Sequence, residues 1–170
     1  MRIIITAALL LINFILQTTL LPLVAIRNIV PHTALIIVIS YALLRSSKEG
    51  AIVGLFSGLL QDVFFSTIMG YFSIIFCAIG YFFGRNQKHF YRENYILPVF
   101  FCILGAIVYE TILFLGVAIS SREMHTFHFI WRILLPQIVY TAIVTIPIYR
   151  ILFGINEWLE VKEKYKHRLF

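Results

Sequence analysis

The sequence predicts an all-α integral membrane protein, a compact bundle of six transmembrane helices, on three observations. Hydrophobic residues make up 61% of the 170-residue chain and charged residues only 13%, a balance too apolar to clothe a soluble domain in polar groups. Six apolar runs follow one another, each near the ~17–25 residues that a helix needs to cross a bilayer. Short basic segments separate the runs and fall on alternate sides of the implied membrane.

The first run, 3–24, follows Arg2. It exceeds the roughly 7–15-residue core of a signal peptide and no small-x-small cleavage site follows it, so it reads as a retained first helix. The remaining helices are expected at 29–44, 50–66, 68–84, 96–119 and 130–153. The turn Phe65-Ser66-Thr67-Ile68-Met69-Gly70 carries no charge. Residues 50–84 therefore read either as two spans or as a re-entrant hairpin that leaves four. In the tail, 154–170, Ile155, Trp158, Leu159 and Tyr165 stand among acidic and basic residues. This pattern fits an amphipathic helix on the inner headgroups, or a merely solvated end.

Lysine and arginine set the orientation. With the amino end inside, the inner face receives Arg2, Arg45, Lys48, Arg85, Lys88, Arg92, Arg150, Lys162, Lys164, Lys166 and Arg168, and the outer face only Arg27, Arg122 and Arg132. Both termini are thus expected in the cytoplasm, with basic loops at Arg45 and Lys48 and at Arg85, Lys88 and Arg92. The net charge of +6 is a topology signal dispersed among loops, so nucleic acid is not an expected partner, whereas anionic lipid is.

Glycine spacing marks a packing face. Gly50, Gly54 and Gly58 stand four apart, on one side of a helix, where another backbone can approach closely, within the bundle or from a partner. Gly80 and Gly84 repeat the spacing on the fourth helix.

Ionisable groups inside a membrane are costly and worth locating singly. Asp62 and Glu110 would each lie about 18–21 Å above the inner side at ~1.5 Å per residue. Asn13 and Gln17 climb to the same half on one face of the first helix, and Arg132 and Gln137 enter it from the other end of the sixth. These six residues could form one outward-opening polar cavity, with Arg132 as counter-ion to a carboxylate. Equally, they could be hydrogen-bonding glue between helices, or Asp62 could cap the outer end of its own helix.

Catalytic signatures are lacking: there is no G-x-S-x-G, no H-E-x-x-H and no phosphate-binding glycine loop. Cys77 and Cys102 sit inside apolar runs, and His125 and His128 have no companion ligand nearby, so neither metal nor cofactor is expected. Two carboxylates alone do not make an active site, and no enzyme is expected. Pro22, Pro31, Pro98, Pro136 and Pro147 do not pair into the matched broken helices of a secondary transporter.

The segment from Gly50 through Gly54, Gly58, Leu60-Gln61-Asp62, Met69-Gly70-Tyr71 and Gly80-Tyr81-Phe82-Phe83-Gly84-Arg85 resembles MreD, the rod shape-determining membrane protein family of bacteria. The shared pattern is a glycine-spaced helix, then Leu-x-Asp, a small-residue turn with glycine, and a helix closing in glycine and a basic residue. The turn Ser66-Thr67-Ile68-Met69-Gly70 is less polar than the family pattern. The resemblance implies a non-enzymatic scaffold of the cell-elongation machinery in the bacterial cytoplasmic membrane. Its implied partner is MreC, with MreB, RodA and a class B penicillin-binding protein in the same complex. Members of that family also resemble in fold the substrate-binding subunits of energy-coupling-factor transporters. A small-molecule, vitamin-like binding subunit of a membrane transporter is therefore the alternative function.

Overall fold

The computed structural model describes residues 2–25, 29–66, 69–85, 96–120, 131 and 134–167. Among them are six α-helices and no β-strand: α1 (Arg2–Thr19), α2 (Thr33–Leu44), α3 (Ser47–Phe65), α4 (Tyr71–Gly84), α5 (Ile96–Ser120) and α6 (Leu135–His167). The all-α membrane class follows directly. Three helical stretches, Ile4–Leu23, Ile96–Gly116 and Leu135–Lys162, are long and apolar enough to cross a bilayer by length and composition, and Thr33–Leu44 and Tyr71–Gly84 are shorter apolar helices.

The bundle is organised around α2. Every one of its twelve residues is buried, as expected of a helix that is hydrophobic all round. Its two faces serve two cores. Leu35, Ile36, Ile39 and Leu43 pack with Ile75, Phe76 and Ile79 of α4 and Cys102, Ala106 and Tyr109 of α5. Ile37, Val38, Tyr41 and Leu44 pack with Leu10 of α1, Val53 of α3, and Tyr149 and Leu152 of α6. At about 18 Å, given ~1.5 Å per residue, α2 is shorter than the 29–44 expected. Pro31 disfavours helical geometry in the residue before it, and the helix begins only after His32.

The first helix also ends early. Its α-helical part stops at Thr19, and Leu21–Val24 forms a 3-10 turn that starts around Pro22, which has no N–H with which to continue the α-helical pattern. At the other end of the chain, α6 runs unbroken through Pro147 and Gly154 to His167, so residues 154–167 continue the sixth helix. A helix of this length reaches about 50 Å at ~1.5 Å per residue and is longer than the hydrocarbon layer it would cross. At Leu159 and Glu160 it still touches the bundle, because Leu159 is buried and Glu160 lies 3.8 Å from Arg45.

Glycine explains the closeness of α3 to α4. A Cβ added at Gly54 would fall on the Phe76 carbonyl, one at Gly58 on Ser73 Cα, one at Gly80 on the Gly50 carbonyl, and one at Gly84 on Ser47 Cα. The Gly50, Gly54 and Gly58 face and the Gly80 and Gly84 face are therefore two sides of a single backbone-to-backbone contact inside the chain. Gly50 also meets Ala42 of α2. Gly70, at φ 96°, supplies the left-handed residue that turns the chain from α3 into α4.

Candidate functional site

Asp62 lies in the last turn of α3 and is 2% exposed. Its carboxylate reaches across the turn to the start of the next helix. The Phe72 N–H donates to Oδ1 at 2.9 Å and the Ser73 N–H to Oδ2 at 2.9 Å. The Ser73 hydroxyl donates to the same Oδ2. The first N–H groups of a helix have no partner within it, and its N-terminus carries partial positive charge. Gly70, at the position preceding α4, has no side chain with which to cap them. Asp62 thus caps the following helix from ten residues upstream, which explains how an acidic group is tolerated there.

A second polar contact joins three helices. His32, just before α2, places Nε2 2.8 Å from Glu110 Oε1 on α5. Gln137 on α6 places its Nε2 2.6 Å from the same ring nitrogen and donates to the Val30 carbonyl at 3.2 Å. When His32 Nε2 carries the ring proton, it donates to Glu110. Thr33, next in the chain, is buried with its hydroxyl lacking a hydrogen-bond partner.

Tyr109 stands between the two polar contacts. Its ring meets His32 edge-on at 4.6 Å, stacks on Phe76 at 5.2 Å and lies 6.5 Å from Phe72. Phe72 is one of the residues whose N–H Asp62 holds. The Tyr109 ring packs between the two contacts, and the carboxylates of Asp62 and Glu110 each have their own partners.

The six polar residues singled out from the sequence therefore occupy different places. Glu110 and Gln137 come together through His32. Asp62 belongs to the α3–α4 corner. Asn13 is buried on α1, and Gln17 is half-buried there with its side-chain oxygen lacking a hydrogen-bond partner. Near this level α1 touches α3 through Phe14, whose ring is 4.9 Å from Phe64. Arg132 lies outside the described residues. His32 was not among the expected residues, although one signal was present: it is the only side chain in the run 29–44 that can carry charge near neutral pH, and it directly follows a proline.

The basic loops differ in their surroundings. Ser46 Oγ accepts from the Glu49 N–H at 3.2 Å and caps α3. Beside it, Arg45 lies 3.8 Å from Glu49 and 3.8 Å from Glu160, joining the α2–α3 loop to the end of α6. Lys48 and Arg85 are exposed. Lys88, Arg92, His125 and His128 lie outside the described residues. Among the described residues, no group of three or more His, Cys, Asp or Glu side chains could hold a metal ion.

No curated protein and no solved structure matches the chain. A family model does: that of MreD, the rod shape-determining protein MreD, matches residues 1–157. The match takes in the glycine-packed hairpin, the Asp62 cap and the His32–Glu110–Gln137 contact, and the chain belongs to the MreD family of rod shape-determining membrane proteins.

Proposed function

We propose that this protein is a non-enzymatic scaffold of the bacterial cell-elongation machinery. It sits in the cytoplasmic membrane as a multi-pass protein with both termini in the cytoplasm. It couples MreC, and through the same complex MreB, RodA and a class B penicillin-binding protein, to maintain rod shape. Membership of the MreD family is the observation that carries this reading.

The internal chemistry supports a holding role. Asp62 engages two backbone N–H groups and a hydroxyl, and Glu110 engages His32. Both contacts fasten one helix to another, which suits a protein whose task is to present fixed surfaces. On the positive-inside orientation, exposed Lys48 and Arg85 would face cytoplasmic partners.

The test is co-purification from a rod-shaped host. The full chain is tagged at its native locus and solubilised gently, and associated proteins are identified by mass spectrometry. Recovery of MreC with the polymerase and transpeptidase pair, reduced by Lys48→Glu or Arg85→Glu without loss of membrane level, is the expected result. Recovery of an ATPase pair instead would replace this reading with that of a transporter subunit.

A further inference from the structure

A cleft of about 700 Å³ runs between α1 and α3, away from both polar contacts. Ala7, Leu10 and Leu11 form one wall, and Ile52, Phe56 and Leu60 the other. Thr6 and Tyr41 also line it, with their hydroxyls joined to each other at 2.8 Å. Charge occurs at one end only. Glu49, which also lies 3.8 Å from Arg45, lines the mouth of the cleft, and exposed Lys48 stands one turn before Ile52 on the same side of α3.

The dimensions select an occupant. From Glu49 to Leu60 the cleft rises about 16 Å along α3 at ~1.5 Å per residue. That is close to half of the ~30 Å hydrocarbon thickness, the depth of one leaflet. Helix docking favours small residues that admit a backbone, whereas these walls are mostly large side chains. A slot that is one leaflet deep, apolar along its length and charged at its rim matches an acyl chain beneath a head group.

We propose that this cleft binds one zwitterionic phospholipid of the leaflet on the side of the 45–48 loop. An acyl chain lies along Ile52, Phe56 and Leu60, Lys48 meets the phosphate, and Glu49 meets the ammonium group. Both signs of charge at one mouth match a head group that carries both, and the acidic member disfavours a purely anionic lipid.

Native mass spectrometry of the full-length protein, exchanged from mild detergent into mixed phosphatidylethanolamine and phosphatidylglycerol, tests this directly. The expected result is one retained phosphatidylethanolamine per chain, favoured by at least about tenfold, equivalent to ~1.4 kcal/mol. Ala7→Trp, which fills the cleft from its exposed rim, should abolish retention, and Glu49→Gln should bring the two lipids to near parity. Phe82→Trp, exposed on α4, should change neither. Equal retention of both lipids by the unaltered chain, no retained lipid, or retention undiminished by Ala7→Trp would each overturn the proposal. So would a second copy of the chain in place of the lipid. Glu49→Gln keeps the test decisive if Ala7→Trp does not fold.

Discussion

His32 and Glu110 stand 78 residues apart in the chain and meet at 2.8 Å, tying the start of α2 to the middle of α5. Gln137 closes on the same histidine from α6. The contact thus fastens the central helix to two of the three helices that, among the described residues, are long and apolar enough to cross a membrane.

A double-mutant cycle with His32→Phe and Glu110→Gln should therefore show coupling. Interhelical polar contacts in membranes average about 0.6 kcal/mol and reach about 1.7 kcal/mol. A value near the average is expected, because the one ring nitrogen can serve Glu110 or the Gln137 amide but not both at once. Reversible unfolding of the purified protein in mixed micelles provides the four free energies. Additivity within about 0.3 kcal/mol would mean that the pair does not act as a unit.

Asp62 makes a stronger prediction, since its loss strands several groups together. Asp62→Ala leaves the Phe72 and Ser73 N–H groups and the Ser73 hydroxyl without their acceptor. Orphaned buried donors cost about 1–3 kcal/mol each, but water reaching the corner would offset part of this. A net loss of about 3 kcal/mol is expected, equivalent to roughly 6–12 °C in Tm for a chain of this size. Asp62→Asn, which retains one acceptor oxygen, should lose about half as much. Thermal unfolding followed by circular dichroism checks both, and an Asp62→Ala protein as stable as the parent would contradict the capping geometry.

The glycine spacing was readable because it is local. Residues four apart share a helix face whatever the rest of the chain does, and Gly50, Gly54 and Gly58 were legible as a packing surface on that ground. The position of Asp62 at the α3–α4 corner was likewise within reach, its partners Phe72 and Ser73 being ten and eleven residues away. Depth in the membrane could also be estimated from helix rise, which put Glu110 and Gln137 at a common level.

Depth does not specify azimuth, and there the sequence was silent. Which faces of α1, α2, α5 and α6 meet depends on tertiary packing over separations such as the 105 residues between His32 and Gln137. His32 is hard to single out in the sequence because the apolar run begins at residue 29, whereas Pro31 delays α2 and leaves the histidine at its mouth. The expected end at residue 153 failed for the opposite reason. Gly154 signals a helix terminus only when the following residues leave the helix, and Leu159 and Glu160 remain engaged with the bundle.

Gly54→Ala and Gly58→Ala should both destabilise, although alanine is the better helix former. The new methyl would meet the Phe76 carbonyl or the Ser73 backbone, and backbone cannot rotate aside as a side chain can. Overpacking of this kind costs about 1–3 kcal/mol, more than the ~1 kcal/mol that alanine gains over glycine in a helix. Leucine at either position should prevent the hairpin from closing, seen as lost protease resistance of the 50–84 segment. Neutral alanine variants would show that the two helices stand further apart.

Gly154→Ala should have the opposite sign. Residue 154 lies inside the continuous α6, and a Cβ there would meet nothing within 4 Å. The helix-propensity gain of about 0.8–1.0 kcal/mol is then not opposed by any clash, so Tm should rise by roughly 2–4 °C. A hinge at this glycine would instead make alanine neutral for stability while altering the reach of the last turns. Distance measurement between spin labels at 151 and 161 separates the cases. An unbroken helix holds them about 15 Å apart in both proteins, at ~1.5 Å per residue, whereas a hinge gives a broad distribution that narrows only in the variant.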